Sequence, residues 1–120
     1  DFEGWLKFFL RGVAHVSRQA VDTARKVVSL SEEHKERLMQ AGGNTAAALK
    51  LLEGLFSQPV VTAKDVARIT GLSVPATYSL IAKFGEMGLL TEISGRRWRR
   101  VYMYRPYIEL FDDDLVRAPV

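Results

Sequence analysis

Four chain-breaking residues divide the second half of the sequence into short elements of defined order. Pro59, Gly71 and Gly88 each end a segment rich in apolar residues, and Gly95 forms a turn signal with Ser94. Proline cannot continue a helix, and glycine readily takes the left-handed conformation in which many helices end. The segments between these residues therefore predict three short helices followed by a β-hairpin.

Each of the three helices is preceded by a polar residue that can cap its first turn. Asn44, Thr62 and Ser73 are these residues, and their side chains can accept a hydrogen bond from the exposed backbone N–H groups. Between the first two helices, Val60-Val61 is long enough only for a strand stub. The predicted helices span residues 45–57, 62–70 and 73–87. The second and third spans begin with their capping residues, and the first begins one residue after its cap.

A β-hairpin with a long basic loop is predicted after the third helix. Residues 89–93 and 101–104 have strand character and flank the Ser94-Gly95 turn signal. Strand alternation puts Tyr102 and Tyr104 on one face of the hairpin. The loop is too long for a two-residue turn, and it holds Trp98 and four arginines: Arg96, Arg97, Arg99 and Arg100.

This order of elements is that of a winged helix-turn-helix, in which the second and third helices form the helix-turn-helix pair and the hairpin is the wing. The predicted fold class is mainly α with a small β component (α+β). The glycine pair in "AGGN" marks the best boundary, so a helical connector segment is expected at 1–43 and the winged domain at 44–111. A final short helix is predicted from Pro106 to Phe111, followed by a loosely held tail at 112–120.

The connector segment predicts a long amphipathic helix. Apolar residues recur at helical spacing up to about Leu30, and a helix of that length would measure about 40 Å. A compact domain of this size has a radius of gyration of about 14 Å, so we expect part of the helix to overhang. Ser29 and Glu32 have capping-box spacing, which predicts a kink or a helix restart near Leu30.

The overhanging end carries three aromatic residues that predict a protein interface: Trp5, Phe8 and Phe9. Their partner would be a missing part of the polypeptide or a second copy of the chain. The alternative is that these side chains only close the local core.

The basic loop predicts contact with nucleic acid. Between residues 62 and 105, eight Lys and Arg residues face three acidic ones, a local excess of five positive charges. Arg96, Arg97, Arg99 and Arg100 would neutralise phosphates. On the third helix the candidate contacts are Ser79, Lys83 and either Thr77 or Tyr78, a sparse set for reading base edges.

Two functions therefore remain open: a domain that binds double-stranded DNA, and a protein-interaction module that binds none. Trp98 is expected to pack on the domain core, with stacking on a sugar or base as its alternative. In the protein-interaction hypothesis Trp98 joins Trp5, Phe8 and Phe9 at the interface.

Several kinds of chemistry are not indicated. The chain has no cysteine, and His15 and His34 read as surface residues without metal-ligand spacing. The run Asp112 to Asp114 reads as a solvated tail, and no phosphate-binding loop or nucleophile elbow is found. We therefore expect no catalysis, cofactor or metal in this chain, no membrane span, and a cytoplasmic location. The lack of an initial Met suggests a fragment of a longer protein.

Four segments together resemble the C-terminal region of Fic-family proteins: "WLKFFLRGV" (5–13), "LLEGLFSQPVVTAKDVARITGLS" (51–73), "GLLTEISG" (88–95) and "RVYMYRPYIELF" (100–111). The resemblance covers nearly the whole chain. It implies a parent protein whose helical Fic domain, with a His-Pro-Phe…Gly-Asn-Gly-Arg loop, transfers AMP from ATP to a hydroxyl of a target protein. A winged-helix domain follows the Fic domain in one large subgroup.

This chain lacks the Fic catalytic stretch, so the resemblance implies no catalytic residue here. The helix from Trp5 would be the last helix of the catalytic domain or a connector from it. The implied partners are the Fic catalytic domain of the same polypeptide and, in a homodimer, a second copy. Tyr78 stands where the family often has Ala, and Trp98-Arg99-Arg100 stands where it has a run like Arg-Asn-Arg.

Overall fold

A computed structural model describes residues 1–117, with side chains for residues 1–111. It confirms the predicted fold class, because a long N-terminal helix is followed by a winged helix-turn-helix with a small antiparallel sheet. In the described residues the helices are α1 (Phe2–Ala41), α2 (Thr45–Ser57), α3 (Ala63–Thr70), α4 (Val74–Glu86) and α5 (Arg105–Arg117). The strands are β1 (Val60–Thr62), β2 (Thr91–Glu92) and β3 (Val101–Met103).

Helix α1 is one continuous helix of 40 residues, so the predicted alternative of a helix restart near Leu30 is wrong. The apolar spacing that starts at the N-terminus continues through Leu30, His34 and Leu38, and these side chains pack on the domain. A break near Leu30 would turn this packing face away from the core. The helix ends at Ala41 and is followed by its C-cap Gly42, whose φ of 75° is accessible to glycine at little cost.

The predicted caps of the helix-turn-helix pair are confirmed. Thr62 and Asp65 form a reciprocal capping box, with the Asp65 N–H donating to the Thr62 hydroxyl at 3.2 Å and the Thr62 N–H donating to the carboxylate at 2.9 Å. Gly71 ends α3 in the left-handed conformation with φ 72°. Ser73 then caps α4 by accepting from the Ala76 N–H. These caps define a tight turn between the two helices.

The sheet has the strand order β1-β3-β2, with both pairings antiparallel. The predicted stub at Val60 thus becomes a full partner of β3. Thr62 pairs with Val101, so the C-terminal end of the wing loop adjoins the residue that caps α3. The register therefore places the wing beside the N-terminus of the helix-turn-helix pair.

Strand β2 is shorter than the predicted span of 89–93. Leu89 and Leu90 are buried, and their N–H groups donate to the Phe84 carbonyl at 2.9 and 3.2 Å. They close the C-terminus of α4 instead of joining the ladder. Leu89 and Leu90 are residue types that favour a strand, but here they pack in the core and cap α4 instead.

The core joins α1 to the winged domain. Leu38 of α1 is fully buried in the same cluster as Leu51, Leu55, Phe84 and Tyr104. The proposed division at residue 43 therefore separates elements that share one core.

His34 is buried at 3% exposure, so its prediction as a surface residue is wrong. Its Nδ1 lies 2.5 Å from the Tyr104 hydroxyl. His15, by contrast, is exposed as predicted. The two histidines differ because only the C-terminal half of α1 is covered by the domain.

Helix α5 continues to Arg117, beyond the predicted end at Phe111. The Tyr107 ring of α5 stacks on the Tyr104 ring, with centroids 5.9 Å apart. It also contacts the Phe56 ring edge to face, with centroids 5.1 Å apart. The rest of the predicted tail, 118–120, lies outside the described residues, as do the side chains of the run 112–114.

The predicted overhang of α1 is confirmed. The molecule measures 66 × 31 × 21 Å, and its radius of gyration of 18.8 Å exceeds the value of about 14 Å for a compact domain of this length. None of the described helices is long and apolar enough to span a membrane.

Candidate nucleic-acid interface

The wing loop presents its four arginines to solvent, as predicted. Arg96, Arg97, Arg99 and Arg100 are all exposed, and no carboxylate of the described residues lies within salt-bridge distance of them. Arg99 has φ 51°, an uncommon conformation for a residue with a side chain. The loop therefore forms a tip whose four guanidinium groups lie close together in sequence and free of ion pairs.

Hydrogen bonds at its base hold the loop in shape. Glu92 accepts from the Ser94 hydroxyl and from the Gly95 N–H, and the Ser94 oxygen accepts in turn from the Val101 N–H at 3.2 Å. Arg100 Nε donates to the Arg96 carbonyl at 2.8 Å, which closes the tip. Part of the loop conformation is thus set before any ligand binds, which lowers the entropy lost on binding.

Glu92 is the acidic residue at the base of the wing. The hydrogen bond from Ser94 lowers the pKa of this carboxyl, and the Gly95 N–H and the nearby charge of Arg100 act in the same direction. The carboxylate stays ionised at neutral pH and offsets one of the positive charges at the base. The ionisable side chains of the tip beyond it are all arginines.

Trp98 is 81% exposed, so the expectation that it packs on the domain core is wrong. It lies in the wing loop between Arg97 and Arg99, whereas Tyr104 and Phe84 are the large aromatic side chains that are fully buried in the core. An exposed indole among guanidinium groups is available for stacking on a base or a sugar, or for contact with a protein.

Two of the residues predicted to contact DNA from α4 do not face solvent. Thr77 is 2% exposed and lies in the core side of the helix. Lys83 is partly buried, and its ammonium donates to the Gly42 carbonyl at 2.6 Å. Of Thr77, Ser79 and Lys83, only Ser79 is exposed. The exposure of Thr77 depends on the exact rotation of α4. The exposure of Lys83 depends on the path of α1, whose end it contacts.

Lys83 belongs to a reciprocal pair of contacts between α1 and α4. While Lys83 donates to the carbonyl of Gly42 at the end of α1, Arg37 of α1 donates to the carbonyl of Met87 at the end of α4, at 2.7 Å. Each cation thus satisfies an otherwise unpaired carbonyl at the other helix's C-terminus. Sequence reasoning missed this arrangement because the two helices meet only in the tertiary structure.

Two further exposed residues belong to the candidate surface: Lys64, which was not predicted as a contact, and Tyr78, which was predicted as an alternative to Thr77. Lys64 lies in the first turn of α3, near the wing base by the Thr62–Val101 pairing, and Tyr78 of α4 is 55% exposed. Arg68 is exposed but is paired with Asp65 at 3.3 Å. The local charge excess includes Lys64, yet only the backbone register places it beside the wing.

The predicted protein interface is also exposed. Trp5, Phe8 and Phe9 have exposed fractions of 57%, 77% and 51%. The alternative that they close the local core is therefore wrong. In the residues that the structure describes, no group of three potential ligands is arranged to hold a metal ion.

No family model matches the chain, and no curated protein matches it either. Among solved structures, the chain is similar to a mutant of the type III plasmid segregation protein TubR. The two share 20% sequence identity and superpose with a TM-score of 0.47, over 72% of this chain and 94% of the other. The fold described above rests on this chain's own geometry.

Proposed function

We propose that this chain is a DNA-binding regulatory module whose wing arginines neutralise phosphates of duplex DNA. The observation that carries the proposal is the tip formed by Arg96, Arg97, Arg99 and Arg100, which is exposed, free of ion pairs in the described structure and adjacent to a helix-turn-helix pair. Phosphates bind cations strongly because their condensed counterions are released.

Binding of this kind would depend weakly on base sequence. The exposed face of α4 offers Ser79 and Tyr78 but no arginine, asparagine or glutamine for bidentate contact with a base edge. Phosphate contacts fix the position of a protein on the duplex without reading its sequence. We therefore expect similar affinities for unrelated duplexes.

A salt titration of binding to a random-sequence duplex tests the proposal. If all four wing arginines meet phosphates, log Kobs should fall against log salt with a slope of about −3.6. Replacing the four arginines by alanine should abolish binding. A matched control removes the same number of charges elsewhere, at four exposed cations of α1: Lys7, Arg11, Arg18 and Arg25.

The control variant should keep most of the affinity. Equal losses from both variants would mean that binding follows net charge alone, and no binding at low salt would reject the DNA proposal outright. Either result would contradict the assignment of the wing as the contact surface.

The four segments quoted above support a second part of the proposal, that this module is the C-terminal part of a Fic-type protein. In that case AMP transfer would belong to another part of the parent polypeptide. Incubation of this chain with ATP labelled at the α-phosphate should then label neither the chain nor an added protein. Labelling would reject the proposal that AMP transfer belongs to another part of the parent polypeptide.

A protein-interaction module is the second candidate function. The observation that favours it is the exposed aromatic end of α1, at Trp5, Phe8 and Phe9. Contiguous apolar surface of this kind usually marks a binding site on a soluble protein.

A further inference from the structure

The free half of α1 carries a continuous apolar face. Six apolar side chains on it have exposed fractions between 38% and 76%: Phe2, Trp5, Leu6, Phe9, Val13 and Val16. Three of the rings stack along the helix, with centroid distances of 6.2 Å from Phe2 to Trp5 and 5.5 Å from Trp5 to Phe9. The face is thus already ordered on its own helix before a partner binds.

This exposed face continues the face by which α1 packs on the domain. Successive intervals of seven, eleven, seven and four residues bring a helix back to the same side, and they separate Phe9, Val16, Val27, His34 and Leu38. The C-terminal part of this side is buried against α2 and α5. The N-terminal part has the same chemistry and, in the described structure, no covering element.

We propose that a second copy of this chain covers this face, through antiparallel pairing of the two N-terminal halves of α1. Large and small residues are segregated along the face, with Phe2, Trp5 and Phe9 first and Gly12, Val16 and Ala20 after them. Antiparallel pairing centred between residues 9 and 12 sets each large residue of one copy against a small residue of the other. The pairs are Phe2 with Ala20, Trp5 with Val16, and Phe9 with Gly12.

Gly12 provides the room that this pairing needs. A Cβ added at this position would meet no atom within 4 Å. The Phe9 ring of the second copy can therefore lie directly on the backbone there. Parallel pairing would instead set the large rings against each other and leave Gly12 facing Gly12.

The position of the folded domain also excludes a parallel pair. The domain covers the C-terminal half of α1 on the same side as the exposed face. Two parallel helices joined by that face would bring both domains into the same space. In the antiparallel arrangement the domains lie at opposite ends, which gives a particle roughly 100 Å long for a 30 Å overlap.

Charge and area are compatible with such a dimer. Lys7, Arg11, Arg18 and Arg25 lie on the opposite side of α1, so no like charges meet across the seam. With about 200 Å² for a whole aromatic side chain, the exposed fractions leave roughly 600 Å² per copy to bury. Specific interfaces bury about 600 to 1,000 Å² per partner, so this face lies at the lower end of that range.

Light scattering of the chain without DNA tests the dimer independently of the proposed function. We expect a dimer at tens of micromolar and a monomer after Trp5→Ala with Phe9→Ala, with at least about a tenfold rise in Kd. Gly12→Leu should also weaken the dimer although it favours the helix. The control Lys7→Ala with Arg11→Ala, on the opposite side, should leave the dimer intact.

Disulfide trapping tests the orientation, since the chain has no cysteine of its own. A mixture of Phe2→Cys and Ala20→Cys chains should form the mixed disulfide in preference to either symmetric one. A preference for the symmetric Phe2→Cys product would show parallel pairing and overturn the proposal. A monomer at all concentrations would overturn it too, and would leave the face to a different partner, such as a catalytic domain of the same polypeptide.

Discussion

Two buried threonines of the helix-turn-helix pair differ in how their hydroxyl groups are satisfied. Thr70 donates to the Val66 carbonyl at 2.7 Å and accepts from the Leu72 N–H at 3.3 Å. Thr77 is buried more deeply, yet its hydroxyl has no hydrogen-bond partner in the described structure. A buried polar group without a partner lowers the stability of the fold.

Thr77→Val should therefore raise the free energy of unfolding by up to about 1 kcal/mol, because it removes an unsatisfied hydroxyl and keeps the shape of the side chain. Thr70→Val is the matched control, and it should cost about 1 kcal/mol since it breaks two hydrogen bonds. Urea denaturation measures both. The variants should bind DNA alike, and equal destabilisation by both would show that Thr77 has a partner after all.

His34 makes stability depend on pH. Burial lowers the pKa of this imidazole from its ordinary value of 6.5, while the charge of Glu33 opposes the shift and that of Arg37 adds to it. Burial raises the pKa of Tyr104, so its hydroxyl stays protonated and can donate to the neutral ring. The folded state thus favours the uncharged imidazole.

Because the unfolded chain binds the proton more readily, the stabilisation is complete above pH 6.5 and is lost as the pH falls toward the lower folded pKa. The unfolding free energy should decrease as the pH falls below about 6.5 toward that lower folded pKa, by at most about 1.4 kcal/mol per pH unit. His34→Asn keeps an acceptor near Nδ1 and should remove this contribution. His15→Asn, on the exposed part of α1, should retain it, and an unchanged slope in His34→Asn would contradict the assignment.

At the scale of elements, helices α2 and α3 approach each other closely at Gly54. A Cβ at this position would lie 2.9 Å from Cγ2 of Ile69, closer than real Cβ contacts allow. Glycine in a helix normally costs about 1 kcal/mol relative to alanine. Here it permits the packing that brings the helix-turn-helix pair onto α2.

Gly54→Ala should therefore destabilise the protein by about 1–2 kcal/mol, because the clash with Ile69 outweighs the gain in helix propensity. Gly85→Ala in α4 is the control, since its Cβ would meet the Leu90 carbonyl only at 3.9 Å. This variant should gain up to about 1 kcal/mol. Thermal unfolding separates the two, and stabilisation by Gly54→Ala would disprove the close contact.

The presence of the short helices could be predicted from the sequence because the residues that begin and end them act locally. The cap at Thr62, the stop at Gly71 and the break at Pro59 act within a few residues of the helix that each one bounds. The length of β2 was not predictable, since Leu89 and Leu90 have strand composition but cover the core and cap α4. Competition between a ladder and a helix terminus is decided by what lies beneath the residues.

At the scale of the whole molecule, the two halves of helix α1 have different surroundings. The C-terminal half of α1 shares a core with the winged domain. The N-terminal half extends beyond that domain and is part of a molecule 66 Å long. Overhang followed from the helix length alone, because no compact domain of this size can enclose it. The continuous course of α1 through Leu30 followed only from the packing of Leu30, His34 and Leu38 on the domain.

The sequence by itself determined the helix-turn-helix, the cationic wing and the aromatic end of α1, because spacing, caps and charge act along the chain. Only the tertiary structure decided which candidates reach solvent. It buried Thr77, engaged Lys83 with Gly42, buried His34 against Tyr104 and left Trp98 exposed. Burial depends on the rotation of each helix against distant neighbours, and these contacts join residues up to 70 positions apart.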